Sequence, residues 1–321
     1  MKVVISFDFE LAWGVADSYE WEVRERSGLY DACHAELPAY IRLLEEMSVP
    51  VTWAIVSNLL NSETGHIQTE HLKGRYRESV ESFLHCSKPT SRSAVDLIKQ
   101  VVSFEQHEIA THTATHPYPS HCDIDEDVYM DDVRISLDDI GLLLGRVPTN
   151  IVYPRDEAHY HKAIAKKFGL GARINPKILR RSNLPRILKY TSEITNGAPP
   201  SRVMLGMSGE VLQTGSALFN WYGGRAAFVK RFCLKAILRK ILISASEPRM
   251  EKDIYHLWLH PFNLLRDRAV GDAFKCFLIQ ADGLRKKGLL EFITMNQCGQ
   301  ELLAESDLHK NYKRLCNDTA D

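Results

Sequence analysis

The chain opens Met1-Lys2-Val3-Val4-Ile5-Ser6-Phe7-Asp8-Phe9-Glu10, an apolar run that closes on two acids. Its β-branched and aromatic residues, crowded together without a helical period, predict a buried strand over 3–10. Side chains two apart on a strand share a face, so Asp8 and Glu10 project together. An acid this early leaves no room for the apolar region of a signal peptide, and the segment reads as the first strand of the mature fold.

The same design recurs along the chain. Further strands are predicted over 51–56, 108–111, 151–153, 171–174, 255–259 and 290–294. Helices are predicted over 37–47, 94–104, 128–144, 160–168 and 273–287, and acids in the first turns of the third suit the helix dipole. About seven strands separated by helices are the pattern of parallel βαβ units. The expected fold is therefore α/β, a closed or nearly closed β/α barrel occupying 1–300 as a single domain. In such barrels the reacting groups stand at the C-terminal strand ends. Two stretches break the alternation and are expected as insertions, 57–93 lying over the strand ends and 176–252. The polar tail 301–321 is expected to fray.

Composition sets outer bounds. With 45% hydrophobic and 25% charged residues, the 321-residue chain can bury a full core. No window approaches the ~20 apolar residues of a membrane span. The seven cysteines are scattered and include no Cys-x-x-Cys pair, so free thiols in a reducing cytoplasm are expected. The formal net charge of −1 hides a strongly basic 176–250, whose acids are Glu193, Glu210 and Glu247 alone. No recognition motif or aromatic platform accompanies that charge, and nucleic acid is not the expected partner.

Three more apolar runs end in chemistry. Thr111-His112-Thr113-Ala114-Thr115-His116-Pro117 sets two imidazoles four residues apart after a strand. Tyr153-Pro154-Arg155 ends the next, and Leu257-Trp258-Leu259-His260-Pro261 ends another, where the proline stops the ladder. Two imidazoles and a carboxylate leave coordination positions open, as catalytic zinc sites do. A histidine at a strand end can donate a proton near neutral pH. His256 lies deeper on the same strand face and reads as core. Each pattern alone also has a bland reading: strand-end acids for solubility, hydrogen-bonded loop histidines, a surface ion pair of Arg155.

Together these groups resemble the polysaccharide deacetylase family, the NodB-homology carbohydrate esterases, over 3–295 with 176–253 matching poorly. His112-Thr113-Ala114-Thr115-His116-Pro117 fits the family's His-Ser/Thr-x-x-His-Pro motif. Phe7-Asp8-Phe9-Glu10 resembles the first motif, Leu257-Trp258-Leu259-His260 the last, and Val49-Pro50-Val51-Thr52-Trp53 the second strand. The resemblance implies a distorted seven-stranded (β/α) barrel carrying a basic helical insertion. It makes Asp8 the general base and Glu10, His112 and His116 the ligands of a divalent metal, zinc foremost, with cobalt, nickel or iron(II) as alternatives. His260 becomes the general acid and Arg155 the partner that orients Asp8. The implied reaction removes an N-acetyl group from an amino sugar, in the cytoplasm and within surface-polysaccharide synthesis. The sequence departs from the family in three places. Phe9 separates Asp8 from a glutamate where two aspartates usually adjoin. Arg155 follows its proline instead of preceding it. Arg173 stands near where an aspartate would orient the acid histidine.

Two competing functions share these residues: a same-fold amidohydrolase acting on a non-sugar amide or formyl group, and a silent carbohydrate-binding barrel that kept its metal. A glycosidase built on Asp8 and Glu10 is weaker, because paired carboxylates usually arrive from different strands to straddle the bond. In the second insertion, Arg231, Lys235 and Arg239 recur every four residues within 225–244. Such a basic helix either docks on an anionic membrane or lipid-linked sugar, or packs its apolar side on the barrel.

Overall fold

In the computed structural model, residues 1–61, 67–174, 200–219, 239 and 253–318 are described. Strand β1 (Lys2–Phe9) is buried along almost its whole length, so it can only sit in the middle of a sheet. β9 (Asp253–Leu259) runs parallel along one edge from Lys2 to Phe7. The other edge is shared: β10 (Glu291–Ile293) pairs with Lys2–Val4, and β2 (Thr52–Ile55) with Ser6–Phe9. The ladder continues through β3 (Glu108–Thr111), β4 (Asn150–Val152) and β5 (Gly171–Ile174), all parallel.

Closure uses a hairpin. β7 (Val211–Thr214) pairs parallel to β5, and β6 (Ser201–Leu205) runs antiparallel to both β7 and β9. The ring is thus β1-β2-β3-β4-β5-β7-β6-β9 and back to β1, within a 10-stranded sheet. A short β8 (Ala217–Leu218) extends the upper part of β9. The seven expected strands are present, but an antiparallel strand completes the barrel. It lies in 176–252, so that stretch is not merely an insertion. β6, buried only at alternate residues, lacks the continuous apolar run of β1 and so carries a weaker local signal.

Helices cover the outside. α1 (Glu20–Arg26) leads into α2 (Leu29–Glu46), which buries Leu29, Cys33, Leu37, Ile41 and Leu44 at helical spacing and carries Pro38 in its interior. α2 thus starts at Leu29, upstream of the expected 37–47. The segment 57–93 is in good part helical: α3 (Gly74–Cys86) buries Tyr76, Val80 and Phe83, and α4 (Pro89–Arg92) follows it. α5 (Val95–Val102), α6 (Glu126–Leu144) and α7 (His161–Phe168) fall where expected. Asp125 caps α6 by accepting the Val128 N–H at 2.9 Å.

Near the C-terminus, α8 (Asn263–Arg266) and α9 (Arg268–Arg285) precede α10 (Met295–Asp318). The tail 301–321 does not begin as a frayed coil, since α10 runs through it to Asp318 and Leu302 is only 4% exposed. The basic stretch 225–244 lies outside the described residues except for Arg239. No helix among the described residues is long and apolar enough to cross a membrane.

Candidate functional site

Alternation along β1 assigns every side chain a layer. Phe7 and Phe9 point outward and meet Trp53 edge-on, with ring centroids 4.6 and 5.8 Å away. Ser6, Asp8 and Glu10 take the opposite face, and all three are buried. The Asp-x-Glu spacing thus puts both acids inside the barrel mouth while Phe9 anchors the strand to the core.

The histidine loop follows β3 directly. His112 N–H donates to Ile55 O at 2.8 Å, and its Nδ1–H donates to Val152 O at 2.7 Å, which leaves Nε2 with a free lone pair. Thr113 and His116 hold positive φ, 69° and 62°. Two such non-glycine residues in one buried loop need outside support. Asp132 of α6 supplies it, accepting the N–H groups of Ala114 and Thr115 at 2.6 and 3.1 Å and the Thr115 hydroxyl. His71 Nε2 lies 2.9 Å from the same carboxylate. Ser57 and Asn58 N–H groups bind Thr113 and Ala114 carbonyls from the other side. Asp132 is one of six acids along α6, beside Asp131, so composition alone does not single it out; only its place on the buried face of the helix does.

Glu10, His112 and His116 converge. Their ligand-type atoms all lie within 4.8 Å of one another, with Glu10 Oε2 at 3.4 Å from His112 Nε2 and 3.0 Å from His116 Nε2. This donor set fits a divalent cation on its own chemistry: two imidazole nitrogens, one carboxylate, and a second-nitrogen hydrogen bond to a carbonyl that fixes the tautomer of His112. Gly14 makes room beside it, since a β-carbon there would fall 2.1 Å from Glu10 Oε1. His260 Nε2 stands 3.4 Å from Glu10 Oε1; its ring stacks on Phe262, and Asn263 Nδ2 lies 3.4 Å from its Nδ1. His256 is core, as expected, with Nε2 2.9 Å from Ser6 Oγ. A second cluster, His121, Cys122 and Asp123, lies apart on a partly exposed loop, where Asp123 accepts the Tyr76 N–H of α3.

Arg155 does not pair with Asp8. Its guanidinium reaches Asp17 at 3.2 Å and lies over the Tyr118 ring, 3.5 Å from the centroid. A positive φ of 55° in the turn after Pro154 directs the chain this way. Asp8 instead takes Arg173 in a two-bond fork, Nη1 to Oδ1 at 2.6 Å and Nη2 to Oδ2 at 2.7 Å. Arg173 also donates to Ser6 Oγ at 3.0 Å and Asp156 Oδ1 at 3.3 Å, and packs over the Trp258 ring. Alternation on β5 turns Arg173 inward between Ala172 and Ile174, both members of the outer core. An arginine inside an otherwise apolar strand was the signal that could have found it.

Electrostatics follow from these partners. Burial pushes the Asp8 carboxyl up, but the charge and hydrogen bonds of Arg173 outweigh it and hold the group below the usual range. Burial likewise raises Glu10, and the three surrounding histidines bring it well below. Both are carboxylates at neutral pH. They line a cavity of about 290 Å³ together with His112, His116 and His260.

No protein-family model matches this sequence, and no curated protein does. Solved structures do. One from Mycobacterium smegmatis, a polysaccharide deacetylase by name, is 14% identical with TM-score 0.60, covering 95% of this chain and 91% of its own. The Puue allantoinase is 11% identical with TM-score 0.57, over 94% and 90%. A Pseudomonas aeruginosa PAO1 protein, also a polysaccharide deacetylase by name, is 11% identical with TM-score 0.56, over 93% and 89%. At such identities the likeness speaks for architecture, and this chain has the barrel fold of the solved polysaccharide deacetylases.

Proposed function

We propose that this protein is a metal-dependent hydrolase that removes the acetyl group from an N-acetylated amino sugar. The observation that carries the reading is the convergence of Glu10, His112 and His116 beside Asp8 and His260 at one barrel mouth. Glu10, His112 and His116 would hold the cation, and the N/O donor set favours zinc, with cobalt, nickel or iron(II) also accommodated. A divalent cation bound there supplies Lewis acidity toward the acyl carbonyl and the attacking water. Asp8, kept ionised by Arg173, accepts the proton that the water loses on attack. His260 delivers a proton to the departing amine, its ring set by Phe262 and Asn263. The amide and water thus become acetate and a free amine. Arg155 is outside this proton path, because it serves Asp17.

The experiment is acetate release from a panel of N-acetyl sugars and oligosaccharides by metal-loaded protein, with bound metal measured on the same sample. Release that disappears in His112→Ala, with metal content lost and circular dichroism kept, supports the assignment. Unchanged release in that variant refutes it. A second reading draws on the Puue allantoinase, which shows nearly the same fold likeness. Here the same residues would open a non-sugar amide or a formamide. Turnover of ureides or formamides with none on any acetyl sugar would select it. A cytoplasmic role in surface-polysaccharide synthesis belongs to the first reading, and cell fractionation with analysis of surface sugars in a deletion strain tests it.

A further inference from the structure

Three arginines line the cavity that holds the candidate chemistry: Arg24 of α1, Arg155 after β4 and Arg266 at the end of α8. The acids of the same cavity are already committed. Asp8 and Asp156 both bind the buried Arg173, and Glu10 faces the histidines. Arg155 is matched by Asp17. Arg24 reaches Glu20, a carboxylate 60% exposed one helical turn away, and such pairs hold an arginine weakly. Arg266 is exposed, and among the described residues its guanidinium has no ion pair or hydrogen bond.

The two loosely held arginines gather on one side. Arg24 sits over the Phe262 ring, 5.5 Å from its centroid, and Arg266 lies one turn beyond Phe262, donating its N–H to the Phe262 carbonyl. Phe262 stacks on His260, the proton donor to the amine in the function proposed above. Arg155 also lines the cavity but is held by Asp17 and by the Tyr118 ring beneath it. If His260 serves the departing amine, the loosely paired charge beside Phe262 borders the amine side of a bound substrate. Guanidinium groups at a cavity wall bind carboxylate and phosphate oxygens through paired N–H donors.

We propose that the amine-bearing half of the substrate carries an oxyanion, a carboxylate or a phosphate, bound by Arg266 and Arg24 beside Phe262. This rests on the deacetylase reading for its orientation but not for its binding. The test uses N-acetylglucosamine, its 1-phosphate and 6-phosphate, and N-acetylmuramic acid as the carboxylate. Calorimetric affinity and acetate release are measured for each in parallel. The expected result is tighter binding of at least one anionic sugar than of the neutral one, by about tenfold. That ratio collapses in Arg266→Gln and again in Arg24→Gln, and it erodes as sodium chloride rises from about 50 to about 500 mM. Arg266→Glu should invert it. Whether the phosphates or the carboxylate show the collapse identifies the source of the oxyanion. Equal affinity for neutral and anionic sugars, or a ratio untouched by Arg266→Gln, overturns the proposal even if acetate is released. An arginine-dependent anion preference without any acetate release keeps the binding site and removes the deacetylase reading.

Discussion

Asp8 and Glu108 are buried to a similar degree at opposite ends of the barrel, 3% and 8% exposed, yet they behave in opposite ways. Asp8 stands near the C-terminal end of β1 and is met by a guanidinium fork. Glu108 opens β3 at the N-terminal end and is met only by neutral donors: Thr52 Oγ1 at 2.8 Å, Asn150 Nδ2 at 2.6 Å and the Asn296 N–H at 2.8 Å. Burial raises the proton affinity of both. A full charge on Arg173 reverses the shift at Asp8, whereas dipoles cannot reverse it at Glu108. Position in the barrel does not make a carboxylate reactive. The charge of its partner decides whether it stays an anion, and the cavity decides whether it meets a substrate. Glu108 ties β2, β4 and α10 together at the closed end, while Asp8 borders open space.

The largest expected effect separates these two roles directly. Asp8→Asn should lower turnover by about 10²–10⁴-fold, the usual worth of a general base, while Glu108→Gln leaves turnover unchanged. Equal losses in the two variants, read as initial rates of acetate release, would erase the distinction. Next in size is the fork itself. Arg173→Met leaves Asp8 as an uncompensated buried anion and should cost about 3–5 kcal/mol in chemical denaturation. Arg173→Lys should recover little of it, since an ammonium cannot form two parallel bonds to one carboxylate. Full recovery by lysine would show that only charge matters there.

The smallest effect is a matter of pH. Glu108 has its folded proton affinity raised above the unfolded value, so its contribution is complete below the unfolded pKa and is lost as pH rises through the folded one. Asp8, shifted down, contributes above its unfolded pKa and loses that contribution as pH falls through the folded one. Glu108→Gln turns one amide N–H toward donors and should cost about 1–3 kcal/mol. The stability gap between wild type and this variant should be wider at pH 4 than at pH 7. A gap that widens toward neutral pH would mean that Glu108 is held as an anion like Asp8.

How much could be read beforehand varies with the range of the interaction. Strands β3 and β5 lie at their expected residues, because buried apolar runs bounded by turns are local signals. The hairpin β6–β7 was hidden, since β6 is buried only at alternate residues and β7 spans just four residues that include Gln213 and Thr214, so neither makes an apolar run. Asn263 as the neighbour of His260 was also invisible, as nothing in a four-residue helix names the ring it will touch.

By itself the sequence determined which side chains would crowd one end of the strands. Asp8, Glu10, His112, His116 and His260 each follow an apolar run, and strand geometry carries such residues to the same rim. Only the tertiary structure decided the pairings. Arg173 reaches Asp8 across the interior from β5, and Arg155 swings out to Asp17 through a left-handed turn. Those choices depend on ring closure, strand register and backbone angles, which bring together residues more than a hundred positions apart and leave no periodic trace along the chain.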